Sequence, residues 1–139
     1  MALATEPIRV EVVSVEGRIW EGDATQVITR TTEGDIGILS NHEPLLAVLV
    51  PHAAEITTTD GEREVIAVEG GFISVSDNRV ALISSSATLA RQISLAEAER
   101  ELAKAVQALE DGDISDETRR HFNRATAQVR AAQKAENRH

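Results

Sequence analysis

Turn residues punctuate the first ninety positions of this 139-residue chain at intervals of roughly eight to twelve residues, and short aliphatic runs fill the gaps. Ile56 to Thr59, then Asp60-Gly61, then Arg63 to Val68 spells a β-hairpin, because Asp-Gly favours a tight two-residue turn. Phe72 to Ser76, Asp77-Asn78 and Arg79 to Ser84 spell a second. Gly70-Gly71 between them predicts a bulge or a close backbone approach. Upstream, Ile8, Val10 and Val12 alternate with Arg9 and Glu11, the period of a half-buried strand. Gly17 and Gly22 bracket Ile19 and Trp20, and Val27 and Ile28 lie among threonines. Leu45 to Val50 is a continuous apolar run closed by Pro51, which predicts a strand buried on both faces. No helical period interrupts this region, so it reads as a β-sandwich or barrel. Aromatics are few (Trp20, Phe72 and Phe122), so the core must be aliphatic.

One stretch stands out, Glu33-Gly34-Asp35-Ile36-Gly37-Ile38-Leu39-Ser40-Asn41-His42. It reads as a loop in which Gly34 and Gly37 take conformations that a Cβ would resist. Asp35 is pushed outward between them. Ile36, Ile38 and Leu39 drop back into the core. An acidic tip on an apolar root describes a fixed contact surface.

The last fifty residues change period. Ser94 with Glu97 forms a capping box, and Leu95, Ala98, Leu102, Ala105 and Leu109 recur at steps of three and four. Glu110 to Asp113, with Gly112, ends this helix. Ser115 or Asp116 caps a second, with Phe122, Ala125, Val129 and Ala132 as its apolar line. That line is mostly alanine, buries little area and predicts a helix that packs weakly and can release.

Charge marks the same boundary. The chain carries a net charge of −9, all of it in residues 1–90, where 14 acids face 5 bases. Residues 118–139 hold six bases against one acid. Arg119, Arg120, Arg124, Arg130, Lys134 and Arg138 give the second helix a basic flank suited to an acidic partner. Each exposed pair there contributes only about 0.2–1 kcal/mol, so the flank steers docking rather than driving it. The overall charge argues against nucleic acid as a partner. The N-terminus lacks the pattern of a signal peptide, and no stretch has the length of a membrane span.

Catalytic constellations are poor. There is no cysteine, hence no thiol nucleophile, disulfide or thiolate metal site. Asp35, His42 and Glu43 make a weak metal set, since a loop histidine beside a proline is more often a turn residue. Ser84-Ser85-Ser86 lacks the flanking glycines of a hydrolase elbow, and no glycine-rich phosphate loop of the Walker type is present. The residues argue for a binding protein without catalytic residues, cofactor or metal.

Glu33-Gly34-Asp35-Ile36-Gly37-Ile38-Leu39 with His42, then Pro44-Leu45-Leu46, then Ile66-Ala67-Val68-Glu69-Gly70-Gly71-Phe72, followed by a helical hairpin, resembles the epsilon subunit of the rotary proton-translocating ATP synthase. Thr29-Arg30-Thr31-Thr32 and Ile19-Trp20 resemble its actinobacterial branch. The resemblance implies a flattened sandwich of about ten strands over residues 1–90 and an antiparallel two-helix hairpin, regulatory, over residues 91–139. It implies a non-catalytic central-stalk subunit, peripheral on the cytoplasmic face of the cell membrane and attached only through its complex. Glu33, Gly34, Asp35 and Ile36 would face the membrane rotor ring. Ser14 and His42 would lie near the gamma subunit. Arg119, Arg120, Arg124, Arg130 and Lys134 would meet the catalytic head, where the hairpin restrains ATP hydrolysis. Two departures follow. The family's ATP-binding segment, I/L-D-x-x-R-A, reads here Ile93-Ser94-Leu95-Ala96-Glu97-Ala98, with Ser94 for the aspartate and Glu97 for the arginine. A glutamate repels phosphate, so the sequence predicts weak or absent ATP binding, with Arg100 nearby as the one compensating cation. Ser40 stands where proline is usual. The competing reading is a stand-alone sandwich module that dimerises through its helices.

Overall fold

The computed structural model describes residues 6–137. Arg138 of the basic flank, His139 and the first five positions lie outside them. Nine strands are described, against about ten expected: β1 (Ile8–Ser14), β2 (Gly17–Thr31), β3 (Gly34–Ile38), β4 (Leu45–Leu49), β5 (His52–Thr58), β6 (Arg63–Val68), β7 (Gly71–Ser76), β8 (Arg79–Ile83) and β9 (Ala87–Leu89). Two helices follow, α1 (Leu95–Glu110) and α2 (Asp116–Glu136).

The strands run β1-β8-β7-β4-β2-β5-β6-β9, with β3 on β2 and a closing β1–β2 pairing, so the sheet folds over itself as a sandwich. β2 makes this possible. Its first half pairs with β1 and its second with β3 and β5, with a register shift between Ala24 and Gln26. Inward positions alternate as period two demands: Ile8, Val10 and Val12 from β1, Ile56 from β5, Ile66 and Val68 from β6, Ile73 from β7, and Val80 and Leu82 from β8. The core is aliphatic, with Trp20 packed at its margin.

Asp77 and Asn78 form the expected two-residue turn, both with positive φ, 51° and 59°. Gly71 is a close approach: at φ +108°, a Cβ there would lie 1.9 Å from the Ile83 carbonyl oxygen. Three expectations are corrected. The Asp60-Gly61 turn is a four-residue connection between Thr58 and Arg63, closed by Gly61 N–H donating to Thr58 O at 2.9 Å. The stretch from Gly34 is strand rather than loop, because the turn closes earlier, over Thr32-Glu33. Gly34 has φ +115°, but Gly37 is ordinary strand with open space around it, and Leu39 stays 57% exposed instead of entering the core. Third, β4 is buried on one face only: Leu49 points inward, while Leu46 and Val48 point to solvent at 75% and 48% exposure.

The helices begin where their caps require. The Ser94 hydroxyl accepts from Glu97 N–H, and that of Ser115 from Thr118 N–H. α2 lies between the sheet and α1. The alanine line Ala125, Val129 and Ala132 is buried as expected, and a second line, Ala127 and Ala131, is buried beside it. Ala127 and Ala131 pack on Val65 and Ala67, the outward residues of β6. β6 is therefore covered on both faces. No helix among the described residues is long and apolar enough to cross a membrane.

Candidate partner-binding surfaces

The two exposed residues of β4 belong to a row. Val48 stands opposite Phe72 on β7, Phe72 opposite Ile83 on β8, and Ile83 beside Val13 on β1. All four side chains share the outer face. Val48, Phe72 and Ile83 are each about half exposed, and Leu46 extends the patch one step along β4. Contiguous apolar area rimmed by charge marks an interaction surface. Here the rim is Arg9, Glu11, Arg18 and Glu21, joined by ion pairs of 3.1–3.3 Å.

The β2–β3 tip abuts the β4 end of this row, for Thr32 N–H donates to Val48 O at 2.9 Å. The Thr31 hydroxyl fixes the turn, accepting from Glu33 N–H at 3.1 Å and donating to Gly34 O at 3.0 Å. Asp35 is exposed, but it is already paired. Arg30 lies directly across the ladder and donates through Nε to Oδ1 at 2.6 Å. That bond holds the Asp35 carboxyl below its usual range. Glu33, exposed at the tip, enters no ion pair among the described residues.

Ser14 and His42 are at opposite ends of the sheet. The Ser14 side chain is buried and accepts from Glu16 N–H at 3.1 Å, leaving its neighbour Val15 84% exposed. His42 is half-buried and donates through Nδ1 to Glu43 O at 2.7 Å. Its loop is tied to the β7–β8 turn by Asn41 N–H donating to Asn78 Oδ1 at 2.6 Å.

The basic flank of α2 divides in two. Arg119, Arg120 and Arg124 are exposed. Arg130 and Lys134 reach back to the sandwich: Arg130 donates to Pro51 O at 3.1 Å, and Lys134 Nζ is 3.2 Å from Glu55 Oε2. Glu55 also pairs with Arg63 of β6. Burial alone would raise the Glu55 carboxyl, but the two cations outweigh it and hold it below its usual range.

Behind these charges is a cleft of about 470 Å³, lined by Thr29, Arg30, His52, Arg63, Arg130 and Lys134 among others. His52, which has no sequence neighbour to mark it, is buried there at 3% exposure. Its Nδ1–H donates to Val50 O at 2.6 Å, so Nε2 accepts from the Thr29 hydroxyl at 2.5 Å. That tautomer is neutral. Burial holds the ring below the usual imidazole range, and Arg30 and Lys134 add to the effect. At the same open end of the hairpin, Ser94 and Glu97 line a separate cleft with Arg100, Lys104 and Gln128.

Comparison with known proteins yields one family. Residues 7–90 match the sequence model of the ATP synthase, Delta/Epsilon chain, beta-sandwich domain. The chain is 40% identical over 137 residues to the ATP synthase epsilon chain of Cutibacterium acnes, covering 93% of this chain and 94% of that one. To the epsilon chain of Streptomyces avermitilis it is 46% identical over 112 residues, covering 81% and 88%. To that of Rhodococcus opacus it is 50% identical over 105 residues, covering 75% and 81%. In fold it resembles a chain of the Euglena gracilis mitochondrial ATP synthase (OSCP/F1/c-ring), with TM-score 0.73 at 18% identity over 99% of this chain and 91% of that one. It also resembles one of the Tetrahymena thermophila central stalk and c-ring, with TM-score 0.57 at 16% identity over 96% and 98%.

The His52 geometry has a consequence for stability against pH. A base held neutral in the fold, with its pKa lowered from 6.5, makes the unfolded chain bind the proton first. Stability is therefore complete above about pH 6.5 and falls as pH drops from there toward the lowered folded value, by at most about 1.4 kcal/mol per unit crossed. Urea denaturation at pH 7.5 and 5.5 should show this loss, and His52→Gln should remove most of it. An equal loss in the variant would rule His52 out as its source.

Proposed function

The chain belongs to the ATP synthase delta/epsilon family, and on that footing we propose that it is a non-catalytic subunit of the central stalk, bound to gamma and to the membrane rotor ring. Its sandwich couples the two, and its hairpin restrains ATP hydrolysis by the catalytic head. It is peripheral, held at the cytoplasmic face of the cell membrane by the complex. The observation that carries the reading is the outer row Val13, Ile83, Phe72 and Val48, an apolar face left open across four strands. A shaft subunit is the partner that such a face fits, and Val15 beside Ser14 extends it. The tip that adjoins the row supplies the ring contact through Glu33, Gly34, Asp35 and Ile36. Glu33 is the carboxylate there that enters no ion pair among the described residues, and Asp35 is held in place by Arg30. His42, on the far loop, serves as a second gamma contact. Both apolar lines of α2 are used within the chain, on β6 and on α1, which argues against dimerisation through that helix.

Phe72→Asp tests the shaft contact. Phe72 is 51% exposed, so the sandwich should keep its urea midpoint, while affinity for gamma should fall at least tenfold. Unchanged affinity would overturn the assignment of this face.

Removing residues 91–139 tests the restraint. The assembled complex should hydrolyse ATP faster, and an unchanged rate would refute the role of the hairpin.

We further propose that the chain binds ATP weakly or not at all. Glu97 carries negative charge where the family's arginine would meet a phosphate, and its backbone N–H is occupied by the Ser94 cap. Calorimetric titration of the full chain should show no micromolar site, and finding one would reverse this proposal.

A further inference from the structure

One guanidinium joins three elements. Arg63 of β6 pairs through Nε with Glu55 of β5 and donates through its other nitrogens to the carbonyls of Lys134, at 2.9 Å, and Asn137, at 3.1 Å. Those carbonyls belong to the end of α2, where helix geometry leaves the last acceptors without partners. The second Glu55 oxygen takes Lys134 Nζ at 3.2 Å, and Arg130 holds Pro51 O one turn earlier. The apolar part of the same joint is mostly alanine, Ala53, Ala67, Ala90, Ala127, Ala131 and Ala135, with Val65 and Ile93 as its two larger members. Small side chains bury little area, so the polar knot is a large share of what keeps α2 on the sandwich.

We propose that Glu55 and Arg63 form a latch that holds α2 docked, with Glu55 standing in for the acidic partner of the hairpin. While Glu55 holds the Lys134 ammonium, its charge is partly neutralised and its side chain is tethered to the sandwich, so reaching a carboxylate on the head costs that pair. Arg130 must likewise leave the Pro51 carbonyl. The sandwich thus competes with the partner for the same two cations, and the latch sets the threshold for release. The second half of this inference rests on the hairpin reading given above; the latch itself does not.

Hydrogen exchange on the full chain tests it. Glu55→Gln removes the charge and keeps the shape. Arg63→Lys keeps the charge, but one ammonium cannot span three acceptors in the same geometry. Each should speed amide exchange in the last two turns of α2 by about tenfold, the effect of losing one or two hydrogen bonds to charged groups. Exchange in β1 and β8 should stay unchanged, which reports an intact sandwich. Glu64→Gln, which breaks only the neighbouring pair with Arg91 at 3.2 Å, should leave α2 protected. Unchanged α2 protection in both Glu55→Gln and Arg63→Lys would overturn the latch. In the assembled complex, both variants should also lower ATP hydrolysis, since a freed hairpin engages the head more often. Faster exchange with unchanged hydrolysis would support the latch and overturn the restraint instead.

Discussion

A single strand of fifteen residues carries the architecture. β2, Gly17–Thr31, contributes to both layers of the sandwich, because it pairs with β1 along its first half and with β3 and β5 along its second. A strand this long must twist, and the register shift between Ala24 and Gln26 lets it turn the corner. Each candidate contact surface is placed by that path. The β2–β3 tip is its far end, the outer row begins on the strand beside its near end, and the cleft around His52 opens off its second half. A one-residue slip would exchange buried Ala24, Val27 and Thr29 for outward neighbours such as Asp23 and Arg30, so the core also fixes which side chains emerge on the outer face.

Charge is distributed with the same economy. The sandwich holds the entire formal excess of acid, yet the acidic groups nearest to α2 are matched to particular cations. Asp35 has Arg30 across the ladder, and Glu55 has Arg63 and Lys134. Among the described charges outside these pairs are Glu33 at the tip and the exposed Arg119, Arg120 and Arg124 on the helix. Opposite signs at separate places allow one chain to recognise unlike surfaces without confusing them.

Much of this was legible in the sequence. Period-two alternation located β1, and Asp77-Asn78 located a turn that only residues tolerant of positive φ could make. The capping serines located both helices. The failures have physical causes. Leu45 to Val50 reads as doubly buried because apolar residues on an open outer face look the same in sequence as those in a core; exposure of Leu46 and Val48 depends on what lies opposite. The stretch from Gly34 reads as loop because glycine suggests a turn, although of its two glycines only Gly34 has positive φ. The second face of α2 was hidden because alanine is common everywhere on helices and carries little hydrophobic contrast. Arg63, Glu55 and His52 meet partners distant in the chain, and no local spacing marks such encounters.

The alanine lining of the joint between α2 and β6 has one more implication. A methyl group has no rotamers to order, so closing this joint costs almost no side-chain entropy. On the α2 side it also offers no large knob that must find one particular hole. Such a seam can part and close again in the same geometry without repacking either surface. The specificity of closure then falls to the few polar groups at its edge, and the mating surfaces themselves are free to act as a plain, reusable bearing.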